Sequence, residues 1–338
     1  MIARRKLTEV TKKYSEPSQI DTQTPSLIRE NWLENIAVGF RDNTYVLDRF
    51  LPEMPVVKDT AKYRVYSPKG YFKAAPKRGE TALPEQSALQ YSEDTYTAFE
   101  YAMEGWVSDD AVRNAAPDIK PLADEAEYLS GKIQLTQEIL IANELHTVIK
   151  AAGTAYYTQL TAAQVWNAGA TRNVLSNIST AIRQVVVHIG HRPNVMAMNT
   201  DTYEVVLFDT TVQDVMKRAN TGLVTASMPI ASLRGLEIVM ADAVVNTGTI
   251  DTPTYTNILY DVDTVNPMRQ TVVIAYVAPS DKLTLGHNFV PKAFKVYRGR
   301  GLEGDRRQAN LIAVWKKLAP KITNVGAGYL IGNVMAAA

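Results

Sequence analysis

The sequence predicts an α+β fold in which a first domain, built from strands and one long helix, is interrupted by an inserted second domain. Strand-like alternation of apolar and polar residues precedes a continuous helical pattern over residues 118–150. A segment of mixed helices and strands follows, and two further strand patterns come near the end of the chain. The expected parts are an arm (1–55), a hairpin (56–95), the first domain (96–155 and 280–338) and the inserted domain (156–279).

Residues 1–55 predict an extended arm. They are mostly polar, begin with basic residues and contain four prolines, which break regular structure. One short helix is expected near residues 27–38. Because an arm of this composition buries little apolar surface against its own domain, it is either a frayed terminus or a segment that docks on a neighbour.

Residues 56–95 predict a long β-hairpin. Side chains alternate between two faces over residues 62–66, proline and glycine favour a turn at 67–70, and residues 71–75 are expected to run back as the second strand. The hairpin has too few aliphatic residues to be stable alone. A solvated loop is the alternative, but the tyrosines favour an interface because tyrosine adds contact area at low entropic cost. The candidate contacts to another subunit are Tyr63, Arg64, Tyr66, Lys69, Tyr71, Lys73, Lys77 and Arg78.

Another strand and a long helix are predicted next. The strand covers residues 95–107, with Phe99 and Met103 on a half-buried face. The helix is roughly 30 residues and about 45 Å long, with Asp118 as its cap and Gly153 beyond its end. Its apolar stripes drift instead of holding a seven-residue repeat, which favours packing along a sheet over a coiled coil. The residues expected to pack are Leu122, Leu129, Ile133, Ile139 and Leu145.

The inserted domain is predicted to have its own α+β core. Its expected helices cover residues 174–185 and 210–219, and its expected strands cover 194–199, 236–245, 258–262 and 271–277. Strands at 289–298 and 310–315 then return to the first domain.

Composition excludes several classes of protein. Of the 338 residues, 46% are hydrophobic and 21% charged, which suffices for two globular cores. With 36 Lys and Arg against 35 Asp and Glu, the chain lacks the positive field of a dedicated nucleic-acid binder. The absence of cysteine excludes disulfides and thiolate chemistry. No signal peptide and no segment long and apolar enough to span a bilayer is found, so no membrane role is expected.

One glycine motif resembles a cofactor site. Gly299, Gly301 and Gly304 give the spacing of a dinucleotide-binding loop after a strand. A strand is expected to follow the motif, however, and no acidic residue occurs after Asp305, so a bulged hairpin is favoured. The four histidines form no metal or catalytic set, and no other catalytic motif occurs, so the sequence predicts no enzyme, cofactor or metal site.

Several stretches of the chain, taken in order, resemble one protein family. They are KYRVYSPKGYFKAAPKRGETALPEQSALQYSEDTYTAFEYAMEGWVSDDAVRNA, PLADEAEYLSGKIQLTQEILIANEL, RPNVMAMNTDTYEVVL and KITNVGAGYLIGNV. Their order is similar to that of the major capsid proteins of tailed double-stranded DNA bacteriophages with the Hong Kong 97-type fold. The resemblance covers essentially the whole chain, and it rests on the order of the segments more than on any one motif. It implies an N-terminal arm, a hairpin called the E-loop, a peripheral domain with a spine helix, and an inserted axial domain.

The resemblance also implies a structural function. Copies would assemble as pentamers and hexamers into the icosahedral capsid of a virion, in the host bacterial cytoplasm. A separate scaffolding protein is implied because the N-terminus is too short for a fused one, together with a portal, and a cement protein is compatible. Packaged double-stranded DNA would touch the wall weakly and non-specifically, since a near-neutral wall neither binds it strongly nor repels it.

Some members of that family form an isopeptide bond between a lysine of the E-loop and an asparagine of a neighbour, promoted by a glutamate. Lys69 and Lys73 suit the lysine role, but the tail around Asn310 and Asn324 has no glutamate, which argues against the bond. Two other functions stay open. One is an encapsulin-like compartment, which shares the fold and loads protein cargo, and the more remote one is a cofactor-binding α/β enzyme that would use the glycine motif.

Overall fold

The protein forms two compact units of mixed helices and strands, which confirms the predicted α+β class. The computed structural model describes residues 28–29, 31–39, 44–68, 71–72, 74–78, 80, 83, 86–87, 89–168, 171–219, 232–249, 252–260 and 270–336. The first unit comprises the described residues up to 39, with 102–130 and 294–314. The second unit comprises the other described residues.

The described residues contain seven helices and fifteen strands. The helices are α1 (Asn31–Gly39), α2 (Asp109–Asn114), α3 (Pro121–Ala151), α4 (Val174–Ile189), α5 (Thr200–Leu207), α6 (Thr210–Ala219) and α7 (Gly301–Arg307). The strands are β1 (Ile28–Arg29), β2 (Glu53–Pro55), β3 (Thr60–Tyr66), β4 (Tyr91–Thr97), β5 (Phe99–Ser108), β6 (Tyr157–Gln159), β7 (Val195–Met198), β8 (Ser232–Leu233), β9 (Leu236–Met240), β10 (Val244–Asn246), β11 (Tyr255–Asn257), β12 (Val272–Ala275), β13 (Gly286–Gly299), β14 (Ala309–Ile322) and β15 (Gly328–Gly332).

A six-stranded sheet forms the centre of the second unit, with strand order β6-β15-β12-β7-β9-β8. Every residue of the inner strands β7 and β12 is buried, as their continuous apolar sequences require. Helix α4 contributes a buried stripe at three- and four-residue spacing, formed by Val174, Ile178, Ala181, Val185 and Ile189. Residues 280–338 are predicted to return to the first domain. Strand β15 belongs to this range, but it pairs inside the six-stranded sheet.

The long helix α3 has 31 residues, in agreement with the predicted length. It begins at Pro121, whose missing N–H has no partner to lose in a first turn. Asp118, the predicted cap, lies before the first residue of the helix. The first hydrogen bonds of the helix are accepted by the backbone carbonyl of Lys120. Leu129, Ile133 and Leu145 are buried, while Leu122 and Ile139 are half-buried.

Two predicted strands of the inserted domain have different bounds in the structure. The prediction of one strand over residues 236–245 is wrong, because β9 and β10 are separate there. The prediction for 258–262 is also wrong: Ile258 and Leu259 lie in a turn after β11, and residues 261–262 are outside the described part. The Asn257 side chain accepts a hydrogen bond from the Leu259 N–H and so ends the strand. Both turn residues are buried, so apolar composition alone did not distinguish the turn from a strand.

The predicted arm is partly buried. A short helix occurs as expected, at α1, although residues 1–27 lie outside the described part. Leu47, Phe50 and Leu51 are completely buried in the core of the second unit. The expectation that residues up to 55 bury little of their surface is therefore wrong for this stretch.

A five-stranded sheet has the order β1-β13-β14-β5, with β2 also paired to β13, and helix α7 joins β13 to β14. The predicted bulged hairpin at this connection is wrong, because seven residues form a helix there. Gly304 is needed for the tight connection: a Cβ at this position would lie 2.7 Å from the Ala309 carbonyl oxygen. Arg300, just before α7, forms ion pairs with Asp305 in α7 and with Asp109 at the start of α2, each at 2.7 Å.

A buried carboxyl group on α3 holds residues 47–49 in place. Both oxygens of Glu138 accept the Leu47 N–H, at 3.0 and 3.1 Å. Burial raises the pKa of Glu138 to about 8, with the nearby Asp48 adding to the effect and the Leu47 hydrogen bond opposing it. The carboxyl group is therefore mostly protonated in the folded protein at neutral pH.

The variant Glu138→Gln is expected to be more stable than the wild type near pH 7. In the unfolded chain Glu138 has its ordinary pKa of 4.5. Between pH 4.5 and about 8 the carboxyl group therefore loses its proton when the protein unfolds, and the free energy of unfolding falls as pH rises through this window. Glutamine keeps the acceptor for Leu47 and does not ionise, so the gain is about 3 kcal/mol at pH 7 and vanishes toward pH 4. Chemical unfolding of both proteins from pH 4 to pH 8 measures it. A stability difference that does not change with pH would contradict this assignment.

Candidate functional site

A two-stranded ribbon in the second unit is the candidate site. Strands β3 and β4 pair antiparallel from Thr60 opposite Thr97 to Tyr66 opposite Tyr91, and residues 67–90 connect them. We call residues 60–97 the hairpin. A long hairpin is therefore present, but the prediction that residues 71–75 form its second strand is wrong, since Tyr71 and Phe72 lie in a turn and the described residues 74–75 are not in a strand.

The base of the hairpin packs on β13 through aromatic rings. Tyr96 stacks on Phe289 with ring centroids 4.3 Å apart, and Tyr63 lies 5.3 Å from the same ring. The Tyr63 hydroxyl donates to Asp94 Oδ2 at 2.8 Å. Burial, and then the Asp94 carboxylate, raise the pKa of the Tyr63 phenol. Tyr63 thus contacts its own subunit.

Charged contacts fix the same end of the hairpin. Lys317 on β14 pairs with Asp59 at 2.6 Å and with Glu100 at 3.7 Å. These carboxylates raise the pKa of Lys317, chiefly because its ammonium donates a hydrogen bond to Asp59. Within the hairpin, Lys62 pairs with Glu93 at 3.1 Å across the two strands.

The connecting segment rests on the C-terminal end of α4. Gly190 ends that helix in the left-handed conformation, with φ of 70°, and the Phe72 ring occupies the space that a side chain would need: a Cβ on Gly190 would lie 2.3 Å from it. The Lys282 ammonium lies 5.2 Å from the centre of the Tyr66 ring. Phe72 is not among the predicted contact residues, because its only sequence signal is that of a bulky apolar residue inside a polar turn.

Beyond these contacts the hairpin leaves large apolar side chains exposed. Val57, beside its base, and Leu83 are 98% and 92% exposed. Phe72, Leu89 and Tyr91 are each about half exposed. Single exposed apolar residues are common, but a series of them on a ribbon with little core of its own is typical of an interaction surface.

Some of the predicted contact residues pack on their own chain, and others are exposed. Tyr63 faces the chain's own core, and the Arg64 guanidinium lies 4.5 Å from the centre of the Tyr91 ring. Tyr71, Lys77 and Arg78 are exposed on the connecting segment. Tyr66 is half-buried, and Lys69 and Lys73 lie outside the described residues.

Strand β5 also differs from its prediction. The expected single strand over residues 95–107 is divided at Ala98 into β4 and β5. Phe99 and Met103, expected on a half-buried face, are 64% and 38% exposed. Tyr101, predicted on the same face, is half-buried, and Val107 at the end of that face is buried, so only the first part of the face is exposed.

No catalytic arrangement was found in the described part of the chain. No group of three or more His, Asp or Glu side chains there is placed to hold a metal ion, and no helix there is long and apolar enough to cross a membrane. His146 is buried and hydrogen-bonds to Thr271 Oγ1 at 2.8 Å, a structural role. Asn310 is bonded to Asp109 and Arg298, and Asn324 to Leu283 and Gly326, so both asparagines hold their own chain.

Comparison of the fold with solved structures gives a consistent result. A phage-related protein from Bordetella bronchiseptica superposes with a TM-score of 0.68 at 17% sequence identity, covering 93% of this chain and 100% of that one. The capsid of cyanophage P-SCSP1u gives a TM-score of 0.58 at 11% identity over 85% and 88% of the two chains. This chain has a phage capsid fold.

A third capsid-fold structure, the capsid of a native GTA particle, gives a TM-score of 0.57 at 15% identity over 96% and 98% of the chains. No protein-family model and no curated protein sequence matches the chain. At these identities the likeness lies in the fold, and it extends over nearly the full length of both chains.

The variant Gly190→Ala is expected to release the connecting segment. Its Cβ would displace the Phe72 ring, and alanine in the left-handed conformation costs about 1–2 kcal/mol. Trypsin should therefore cut faster after Lys77 and Arg78 than in the wild type. Gly153→Ala is a matched control, because Gly153 also has a positive φ of 105° but no atom within 4 Å of the added Cβ. Equal cleavage rates in the two variants would mean that Phe72 does not hold the segment.

Proposed function

We propose that this protein is the subunit of a phage capsid: copies assemble as pentamers and hexamers into an icosahedral shell that encloses double-stranded DNA. The observation that carries this proposal is the hairpin, whose exposed apolar side chains have no cover in their own subunit. The capsid fold supports it, since the similar structures include assembled capsids of other phages.

Covering the hairpin requires other copies of the chain. A two-stranded ribbon is marginally stable in water, and the described residues anchor this one at its base, at Tyr66 and at Phe72. A neighbouring copy that covers Leu83 and Leu89 would remove apolar surface from water at about 25 cal/mol per Å². Each contact is weak, but closed symmetry repeats it at every subunit and makes the shell stable without disulfides.

The proposal includes partners and a location. A separate scaffolding protein would set the curvature, a portal would occupy one vertex, and a cement protein is compatible with the exposed surface. Assembly would take place in the cytoplasm of the bacterial host, and the mature location would be the virion. The role in this proposal is structural, as it is in the capsids that share the fold.

Removing the connecting segment tests the hairpin's role. Deletion of residues 67–80 joins strands that already lie side by side, since the Ser67 N–H bonds to the Gln90 carbonyl at 3.1 Å. The subunit should stay folded by circular dichroism, while particle yield in electron micrographs falls to background. Replacing the same residues with a glycine-serine linker of equal length keeps the length of the connection and should also fail, because Tyr71 and Phe72 are lost and Leu83 and Leu89 are no longer held in place by the Phe72 contact. Normal particles from either variant would refute the role, and wild-type particles that hold protein cargo instead of DNA would refute the virus.

Free subunits are expected to bind double-stranded DNA weakly. The formal net charge is +1, with nearly equal numbers of basic and acidic residues, so few counterions are released on contact. The dissociation constant should be weaker than about 10 μM at physiological salt and change little between 50 and 200 mM salt. Fluorescence anisotropy with a labelled duplex measures both. Tight binding that weakens steeply with salt would contradict the proposed wall contact.

A further inference from the structure

The two ends of helix α4 carry opposite charge. At its N-terminal end an open cleft of about 420 Å³ is lined by residues before α4, by α5, by the two residues between α5 and α6, and by Met335. Three carboxylates, Asp201, Glu204 and Asp209, face one guanidinium, Arg172. Asp209 is engaged in capping α6, where it accepts the Thr211 and Val212 N–H groups, whereas Asp201 and Glu204 make no ion pair within the described residues. We call this the acidic cleft.

The acidic cleft also has an apolar wall. Phe208 lines it and is 62% exposed, and Val205 lies beside it. A flat aromatic ring next to two carboxylates suits a guanidinium, which can pair with carboxylates in a fork and stack on a ring. Lysine lacks the planar group that makes both contacts at once.

The other end of α4 presents two arginines. Arg192 follows the end of the helix, and its guanidinium donates to the Arg234 carbonyl. Arg234 and Gly235 form the tight turn between β8 and β9, and both have positive φ, 53° and 79°. We call Arg192, Arg234 and Gly235 the arginine turn. Both arginine side chains are exposed, and neither has an acidic partner among the described residues.

Arginine is an unusual residue for the position it holds in this turn. A two-residue turn with positive φ at both positions favours asparagine or glycine at the first, because a side chain in the left-handed region costs about 1–2 kcal/mol. The chain nevertheless places a long cation at the exposed tip. The Arg192 bond holds only the Arg234 backbone, and the strained residue leaves its own cationic side chain exposed without an acidic partner among the described residues, which is an indication of function.

The cleft and the turn cannot meet within one subunit. Helix α4 has 16 residues and is therefore about 24 Å long, with the acidic cleft at one end and the arginine turn at the other. Two complementary surfaces at opposite ends of a subunit are the arrangement that a head-to-tail contact requires. Repeated around an axis, such a contact closes a ring.

We propose that the arginine turn of one copy enters the acidic cleft of the next copy around each ring of the shell. This inference rests on the proposed function, because it supplies a contact within the pentamers and hexamers. Arg234 pairs with Glu204 and Asp201 of the neighbour and lies against its Phe208 ring, while Arg192 supports the turn from behind. The partner is a second copy of this chain.

A charge swap tests the contact. Glu204→Arg and Arg234→Glu each place like charges together and should lower the yield of particles at least about tenfold, since one lost pair repeats at every subunit. The double variant restores opposite charges with the direction reversed and should recover the yield to within about threefold of the wild type. Arg183→Glu is the matched control: it makes the same charge change at an exposed position inside α4 and should leave the yield unchanged. Circular dichroism checks that each variant is folded.

The outcomes separate this contact from the proposed function. If wild-type particles form and the double variant fails to recover, the contact is wrong and the capsid function stands. If Arg183→Glu lowers the yield as much as the other single changes, the effect is general and the contact is also wrong. If Arg234→Glu alone reduces the DNA content and Glu204→Arg has no effect, the turn binds phosphate instead. If the wild type forms no particles even with its scaffold, the proposed function itself fails, and this contact with it.

Discussion

The unmet burial of apolar surface on the hairpin is the constraint on which the rest of the structure depends. A ribbon of two strands exposes both faces, and Val57, Leu83 and Leu89 find no cover in their own subunit. The chain meets part of this need locally, by stacking Tyr96 on Phe289 and placing Phe72 over Gly190. The apolar surface area that stays exposed is small for each residue. It is too small to unfold the subunit and large enough to favour association once many copies are present.

The second unit carries the stability that lets the hairpin stay exposed. Its core joins the inner strands of the six-stranded sheet, the buried stripe of α4 and the later turns of α3. Residues 47–51 belong to that core as well, and Glu138 fixes their start by binding the Leu47 N–H. Burying a protonated carboxyl group costs less free energy than burying an ionised one, because the protonated group needs no buried counter-charge. The anchoring of residues 47–51 therefore survives without a nearby cation.

Sequence reasoning found the elements with a clear period and misplaced those that depend on distant partners. Helix α3 was predictable because Pro121, the apolar stripes and Gly153 all agree, and α6 was predicted at the bounds observed. The second strand of the hairpin was not, since neither residues 71–75 nor residues 91–97 alternate clearly, and only pairing with β3 and burial of Tyr96 identify 91–97 as the strand. Helix α7 was missed because three glycines in a short polar stretch are typical of a turn, while one of the two ion pairs of Arg300 that support it comes from Asp109, which is far away in sequence. At the candidate site, the presence of a long hairpin was predictable, but the contact of Phe72 was not.

The two surfaces of this subunit suit different tasks in assembly. The hairpin offers apolar area with little geometric detail, so it strengthens association but specifies direction poorly. Opposite charges at the two ends of α4 behave the other way: exposed ion pairs contribute little free energy, yet like charges brought together by a wrong orientation are penalised. A ring that must close with a fixed number of copies needs both properties. In the proposed shell, separating them on one chain would let the hairpin adapt to five or six neighbours, while the proposed charged contact would keep every copy facing the same way.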